Sequence, residues 1–265
     1  MNDFLIPNEQ DPTQKRYLYI FLGTVSRTLI ACVASFILFP VQSGIISVFF
    51  ASFSLIPCFE NILDKNKNDI WQNRVKPLKA NADMALSLIL IFSSVLFTYA
   101  VIVFIQSTDT TKILFFSQIH DTMTHTHLKT TKFGNILANR TIILITFFFI
   151  SVVYRVGSIF ILVWLASVWG VIYGLYFKSG LNTDLPEAKN YLLILSLSGF
   201  VVLIIRTLAF VTASMSGVFI SKALSKYSMA SKEFFQVFKA VMSILAVSAL
   251  LLLGAVYIEY LLLTQ

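Results

Sequence analysis

Charge is scarce in this chain: only 12% of its 265 residues are Asp, Glu, Lys or Arg. The acidic residues stand at the ends of apolar runs or in the polar stretches between them. No pair of titratable groups at one depth is therefore offered for proton abstraction. The sequence also lacks a nucleophile elbow, an H-E-x-x-H helix and a phosphate-binding glycine loop, which removes the most recognisable hydrolase, metalloprotease and nucleotide-binding readings. Cysteine is nearly absent as well. Cys32 falls deep in the first apolar run and Cys58 near the far end of the second, so in a hairpin they stand at different depths and are expected to be packing residues. The opening MNDFLIPNEQDPTQKR has no charged-then-apolar signal, so the first span is expected to serve as its own insertion signal.

What is abundant is apolar. The hydrophobic share is 57%, with 25 Phe, against roughly 45–50% for a soluble domain. This predicts an all-α fold, a polytopic transmembrane helical bundle in the cell membrane, since lipid-facing side chains must be apolar and buried charges are costly there. The pI of about 9.4 reflects basic residues in the loops that flank the spans, and no nucleic-acid partner is expected.

In chain order, residues 1–16 form a polar N-terminus and 17–265 a single transmembrane domain. Apolar runs cover Tyr17 to Phe39 and Ser43 to Ile62, joined by a turn at Pro40-Val41-Gln42, with Ser43, Ser47 and Ala51 giving the second run a small face. A basic loop with Lys65, Lys67, Arg74, Lys76 and Lys79 precedes a third span, Ala82 to Ile105. Residues 106–138 are polar and expected outside the bilayer, partly interfacial through Ile113-Leu-Phe-Phe116. Asn139 to Phe177 is too long for one span across ~30 Å of hydrocarbon and must break near Tyr154-Arg155-Val156-Gly157, into two full spans or a re-entrant pair. Asn190 to Ser221 follows, long enough to require tilt or a kink near Ser198-Gly199, and a last span ends near Glu259. The total is about seven spans with one or two broken or re-entrant helices. The distribution of basic residues favours a cytoplasmic N-terminus and an external C-terminus.

The most informative stretch is RVGSIFILVWLASVWGVIYG, Arg155 to Gly174, where Ala166, Gly170 and Gly174 recur four residues apart on one helical face. A second ladder stands at Ala209, Ala213 and Gly217. Small residues at this spacing let helix backbones approach closely, so both ladders are helix-packing residues, and the two are expected to dock against each other with the other spans wrapped around them. Arg206 lies beside the second ladder and Arg27 within the first run, each near the middle of its apolar stretch with no carboxylate at its depth in the sequence. With Arg155 they are candidate ligand- or partner-binding residues, because an intramembrane guanidinium that lacks a counter-charge suits a phosphate or another anion. His120, His125 and His127 could ligate a metal by residue type, but their spacing matches no structural zinc pattern and a polar loop is the preferred reading. No cofactor is expected.

The pattern Phe133-x-x-Ile136-x-x-Asn139 leading to Gly157-Ser-Ile-Phe-Ile-Leu-Val-Trp164-Leu-Ala-Ser167-Val-x-Gly170 resembles the stage II sporulation protein M family of integral membrane proteins, in particular its archaeal-type members. Leu165 stands where that family has an asparagine, Ala138 replaces the first Asn of its N-N pair, and Arg206 stands at the usual glutamate. The resemblance implies a non-enzymatic membrane subunit, with Phe133, Asn139, Gly157, Trp164 and Ser167 as family-motif positions. It further implies lipid and other membrane proteins or further copies of the chain as partners, in membrane or envelope remodelling. The alternative it carries is a permease-like subunit working with a separate ABC-type ATPase.

Overall fold

The computed structural model describes residues 13–71, 77–120, 133–154, 157–181 and 186–264. Every regular element among them is helical: α1 (Thr13–Leu38), a 3-10 turn (Pro40–Gln42), α2 (Ser43–Trp71), α3 (Pro77–Ile105), α4 (Thr108–Leu114), α5 (Phe133–Val153), α6 (Ser158–Leu181), α7 (Pro186–Lys226) and α8 (Lys232–Thr264). All but α4 are long and apolar enough to cross a membrane, giving seven spans. The protein is an all-α polytopic membrane bundle. Helices are the form that lets the chain enter lipid, because each satisfies its backbone N–H and C=O groups internally.

The long apolar stretch in the middle resolves into two full-length helices. Helix α5 ends at Val153, the Gly157 amide donates to the Tyr154 carbonyl at 2.6 Å, and α6 starts at Ser158. At 21 and 24 residues these helices are each about 30 Å or more long at ~1.5 Å per residue, which excludes half-helices. Helix α7 is unbroken from Pro186 to Lys226, so the length of that run is taken up by one 41-residue helix without an interruption at Ser198-Gly199.

The chain divides into two compact units. The first comprises residues 1–128 and 159–193, the second 129–158 and 194–265.

In the first unit α1, α2 and α3 pack on one another. The small face of α2 is wholly inside: Ser43, Ser47 and Ala51 are fully buried, and the Ser47 and Tyr99 hydroxyls share a hydrogen bond of 2.7 Å. The stretch after α3 turns back onto the helices of this unit. Ser107 caps α4 by accepting from the Thr110 amide, Phe115 is fully buried between the Phe36 and Tyr99 rings, and Gln118 donates to the Gly44 carbonyl at 2.9 Å. A side chain at Gly44 would run into Gln118 and the Leu114 carbonyl. Residues 106–120 therefore contribute to the core of this unit, whereas 121–132 lie outside the described residues. Their apolar Phe115 is what draws the segment in.

Helix α6 completes the first unit. A Cβ placed on Gly170 would fall 2.6 Å from the Leu96 carbonyl oxygen and 2.7 Å from the Tyr99 Cβ, and one on Gly174 2.8 Å from the Ala100 carbonyl oxygen. The ladder Ala166, Gly170, Gly174 thus seats α6 against α3. In the second unit Gly217 of α7 meets the Phe148 carbonyl and lies where a Cβ would be 2.7 Å from the Ser151 Cβ of α5. The expected docking of one ladder on the other is corrected: each small face is filled by a different helix of its own unit. Spacing alone announces that a backbone approaches; which backbone depends on neighbours that the spacing does not encode.

Because the atom facing Gly170 is backbone, even one methyl group forces the helices apart. Gly170→Ala should lower the thermal unfolding midpoint of the detergent-purified protein, at about 1–3 kcal/mol for overpacking. Gly254→Ala, with nothing within 4 Å of its Cβ position, should not. Equal midpoints for the two variants would contradict this packing.

Candidate functional site

Helices α5, α7 and α8 each present a buried line of residues at helical spacing. On α5 it runs through Leu144, Phe147 and Ser151, on α7 through Val202, Leu203, Arg206, Ala209, Phe210 and Ala213, and on α8 through Ser248, Leu252, Ala255 and Val256. Phe147 stacks on Phe210 with ring centres 5.2 Å apart, Ser151 donates to the Ser214 hydroxyl at 2.9 Å, and Ser248 donates to the Ala209 carbonyl at 2.7 Å. Small polar side chains act here as short ties between helices that lipid does not push together.

At one end of this seam the three lines run into charge. The Arg140 guanidinium donates to Glu259 Oε1 at 2.9 Å, and the Arg206 guanidinium lies 3.1 Å from Glu259 Oε2. One carboxylate from α8 is thus shared by two arginines, one from α5 and one from α7. The Arg206 side chain is 4% exposed, Glu259 18% and Arg140 27%, so the cluster opens outward at Arg140. Within the spans Ser198–Lys226 and Lys232–Leu262, Arg206 and Glu259 fall in the third nearest one end, Arg140 is the eighth residue of the span Phe133–Val153, and the Phe133 and Tyr260 rings meet edge to face at the same end with centres 5.8 Å apart.

The expectation that Arg206 has no carboxylate at its depth is therefore corrected. Glu259 reads as an interfacial residue because it closes the last apolar run. Its helix places it beside Arg206 because both stand on buried lines near the same end of their spans. Arg140, the second residue of the apolar run that opens at Asn139, is the member that the sequence reading did not single out.

Arg27 is half-buried on α1 and interacts with the Cys58 thiol of α2, so it has a local partner but no acidic one in its own unit among the ion pairs described. Cys32 and Cys58 are both free and buried. Arg155 lies outside the described residues, as do His125 and His127. His120 stacks on Phe116 at 5.5 Å, and no group of three potential metal ligands is found among the described residues. Of the family-motif positions, Phe133, Asn139 and Gly157 belong to the second unit, Trp164 and Ser167 to the first. Asn139 is exposed, Trp164 is half-buried, and Ser167 is buried with its hydroxyl donating to the Trp164 carbonyl at 2.8 Å.

The first unit carries a charged cluster of the same stoichiometry. Asp83 of α3 takes Arg16 of α1 at 2.6 Å and Lys65 of α2 at 3.4 Å, and receives the Tyr17 hydroxyl. Arg16 also donates to Ser87 at 3.2 Å, and Asn66 to Asn81 at 3.2 Å. It ties the starts of α1 and α3 to the end of α2. Lys65 and Asp83 are partly exposed, which marks the cluster as a fastening at the edge of the span.

No family model, curated protein or solved structure matches the chain.

Removing the shared carboxylate takes an ion pair from two guanidiniums, whereas removing Arg140 leaves one pair intact. Glu259→Gln should cost about 3–5 kcal/mol, the range for an uncompensated buried charge. Arg140→Gln should cost clearly less. The comparison is made by chemical denaturation in detergent micelles, and the reverse order would show that the carboxylate is not the hub.

Proposed function

We propose that the protein is a non-enzymatic integral membrane subunit that acts through contacts with other membrane proteins or with lipid. The observation that carries this reading is the state of Arg206. A permease built on that residue needs water or substrate to reach it, yet its side chain is 4% exposed, ion-paired to Glu259 and flanked by the fully buried Ala209 and Phe210. A charge held in this way fastens helices. The two glycine ladders support the same conclusion, since the space left by their missing side chains is taken up by neighbouring backbone. The resemblance to stage II sporulation protein M gives the direction, a subunit of a complex in membrane or envelope remodelling.

Two measurements test this. Extraction of the tagged protein from native membrane in mild detergent should bring down a defined membrane-protein partner or further copies of the chain. The second probes access. In a background where Cys32 and Cys58 are replaced by Ala, Thr207→Cys places a thiol next to Arg206 at a position that is 1% exposed. It should resist a membrane-impermeant methanethiosulfonate reagent in intact membranes. Rapid labelling would transfer support to the permease reading, in which a separate ATPase drives the chain.

A further inference from the structure

We infer that the protein pairs with a second copy of itself across the outer face of α2, Arg27 of each chain meeting Glu60 of the other. Both residues belong to the first unit. Arg27 is half-buried and is the thirteenth of the 24 residues of the span Lys15–Leu38, so it stands at the middle of that span, where a guanidinium without a carboxylate is costly. Its partner within the chain is the neutral Cys58 thiol. Glu60 is exposed on α2, six residues before the end of the span Pro40–Asn66, and of the acidic residues in the described spans that enter no ion pair it is the deepest. Unmatched charges of both signs are thus left inside one helical hairpin.

Depth brings the two charges to one level. Side chains on a helix lean toward its N-terminus. Arg27 accordingly reaches back along α1 to Cys58, while Glu60 stands two residues beyond Cys58 on α2, about 3 Å along the axis, and leans back toward it. A two-fold axis along the membrane normal keeps every residue at its own depth, so a second copy offers a carboxylate at the level of the guanidinium and a guanidinium at the level of the carboxylate. A lipid phosphate stands too far out. Cys58 is eight residues from Asn66, about 12 Å inside the end of the span.

The arrangement around α2 is the one a two-fold contact needs. At 3.6 residues per turn Cys58 and Glu60 are about 160° apart, so Arg27 comes to α2 on one flank and Glu60 leaves it on the other. The helix itself therefore separates the two charges within one chain. Between the flanks runs a ridge of Pro57 and, one turn earlier, Phe53, both apolar and exposed. When two α2 helices related by the two-fold meet ridge to ridge, the right flank of one faces the left flank of the other, and both ion pairs form at once. A charge pair closed off from water in this way is far stronger than the same pair at a surface. The inference deepens the scaffold reading by naming the partner, and rests on it for the membrane setting.

The test reads self-association of the full-length protein, by native mass spectrometry in mild detergent and by co-purification of two differently tagged copies from one membrane. The wild type should be a dimer. Glu60→Gln, a mild change at an exposed site, should weaken self-association by about tenfold or more, as the loss of charge-assisted hydrogen bonds implies. Arg27→Glu and Glu60→Arg should each stay monomeric when expressed alone, because each sets like charges against one another across the contact. Expressed together under separate tags they should form a mixed dimer, since each variant supplies the charge that the other lacks, a rescue that no pairing within one chain explains. A monomeric wild type would overturn the proposal, and so would self-association of Glu60→Gln equal to that of the wild type, or absence of the mixed dimer when both variants keep their helical signal. Should either charge reversal fail to fold, Glu60→Gln decides: weakened self-association upholds the proposal and unchanged self-association overturns it. Neither capture of a different membrane protein nor the labelling of Thr207→Cys requires this face, so a monomeric chain that brings down such a partner loses this inference and keeps the scaffold reading.

Discussion

A guanidinium between apolar helices must meet a carboxylate before those helices can close, and each unit of this protein is organised by that requirement. In the first unit Asp83 gathers Arg16 and Lys65; in the second Glu259 gathers Arg140 and Arg206. In both cases the three partners come from three different helices, so a single acidic residue specifies which helices are neighbours and at what register. Apolar packing alone does this poorly in a membrane, because a leucine gains little by exchanging an acyl chain for another leucine. An arginine without its carboxylate, by contrast, loses several kcal/mol, enough to reject an arrangement that slides one helix by a turn.

Close backbone approach then supplies what the charges cannot. The charged clusters lie near span ends, and along the rest of the helices the contacts are made by small residues and hydroxyls. Gly170 and Gly174 bring α6 against the carbonyls of α3, and Gly217 brings α7 against α5. Ser151 with Ser214, Ser248 with the Ala209 carbonyl, and Ser47 with Tyr99 add hydrogen bonds in surroundings where water does not compete. Dispersion between backbones falls off steeply with separation, so a contact that admits no side chain is also one that a single methyl group spoils. The small faces are therefore closed at Gly170, Gly174 and Gly217.

Period and composition made the spans legible: seven apolar runs, the break after Tyr154 and the buried small face of α2 follow from the residues alone, because each depends only on its own neighbours in sequence. Partners were not legible. Ala166, Gly170 and Gly174 announce a close contact without saying that it is α3, and nothing in the run around Arg206 indicates that Glu259, 53 residues on, stands beside it. The apolar Ile113-Leu-Phe-Phe116 marked residues 106–120 as partly interfacial, without saying that Phe115 finds a place between Phe36 and Tyr99. Arg155, His125 and His127 lie outside the described residues, and His120 stacks on the Phe116 ring.

Connectivity adds a constraint on how such a chain assembles. Helices α5 and α6 are consecutive and separated only by the break at Tyr154 to Gly157, yet α5 belongs with α7 and α8, and α6 with α1, α2 and α3. The seat that Leu96, Tyr99 and Ala100 offer on α3 cannot be filled until α6 has been made, after α5 in the chain. Arg140 on α5 must then wait for Glu259, near the end of the chain, before its charge is matched within the protein.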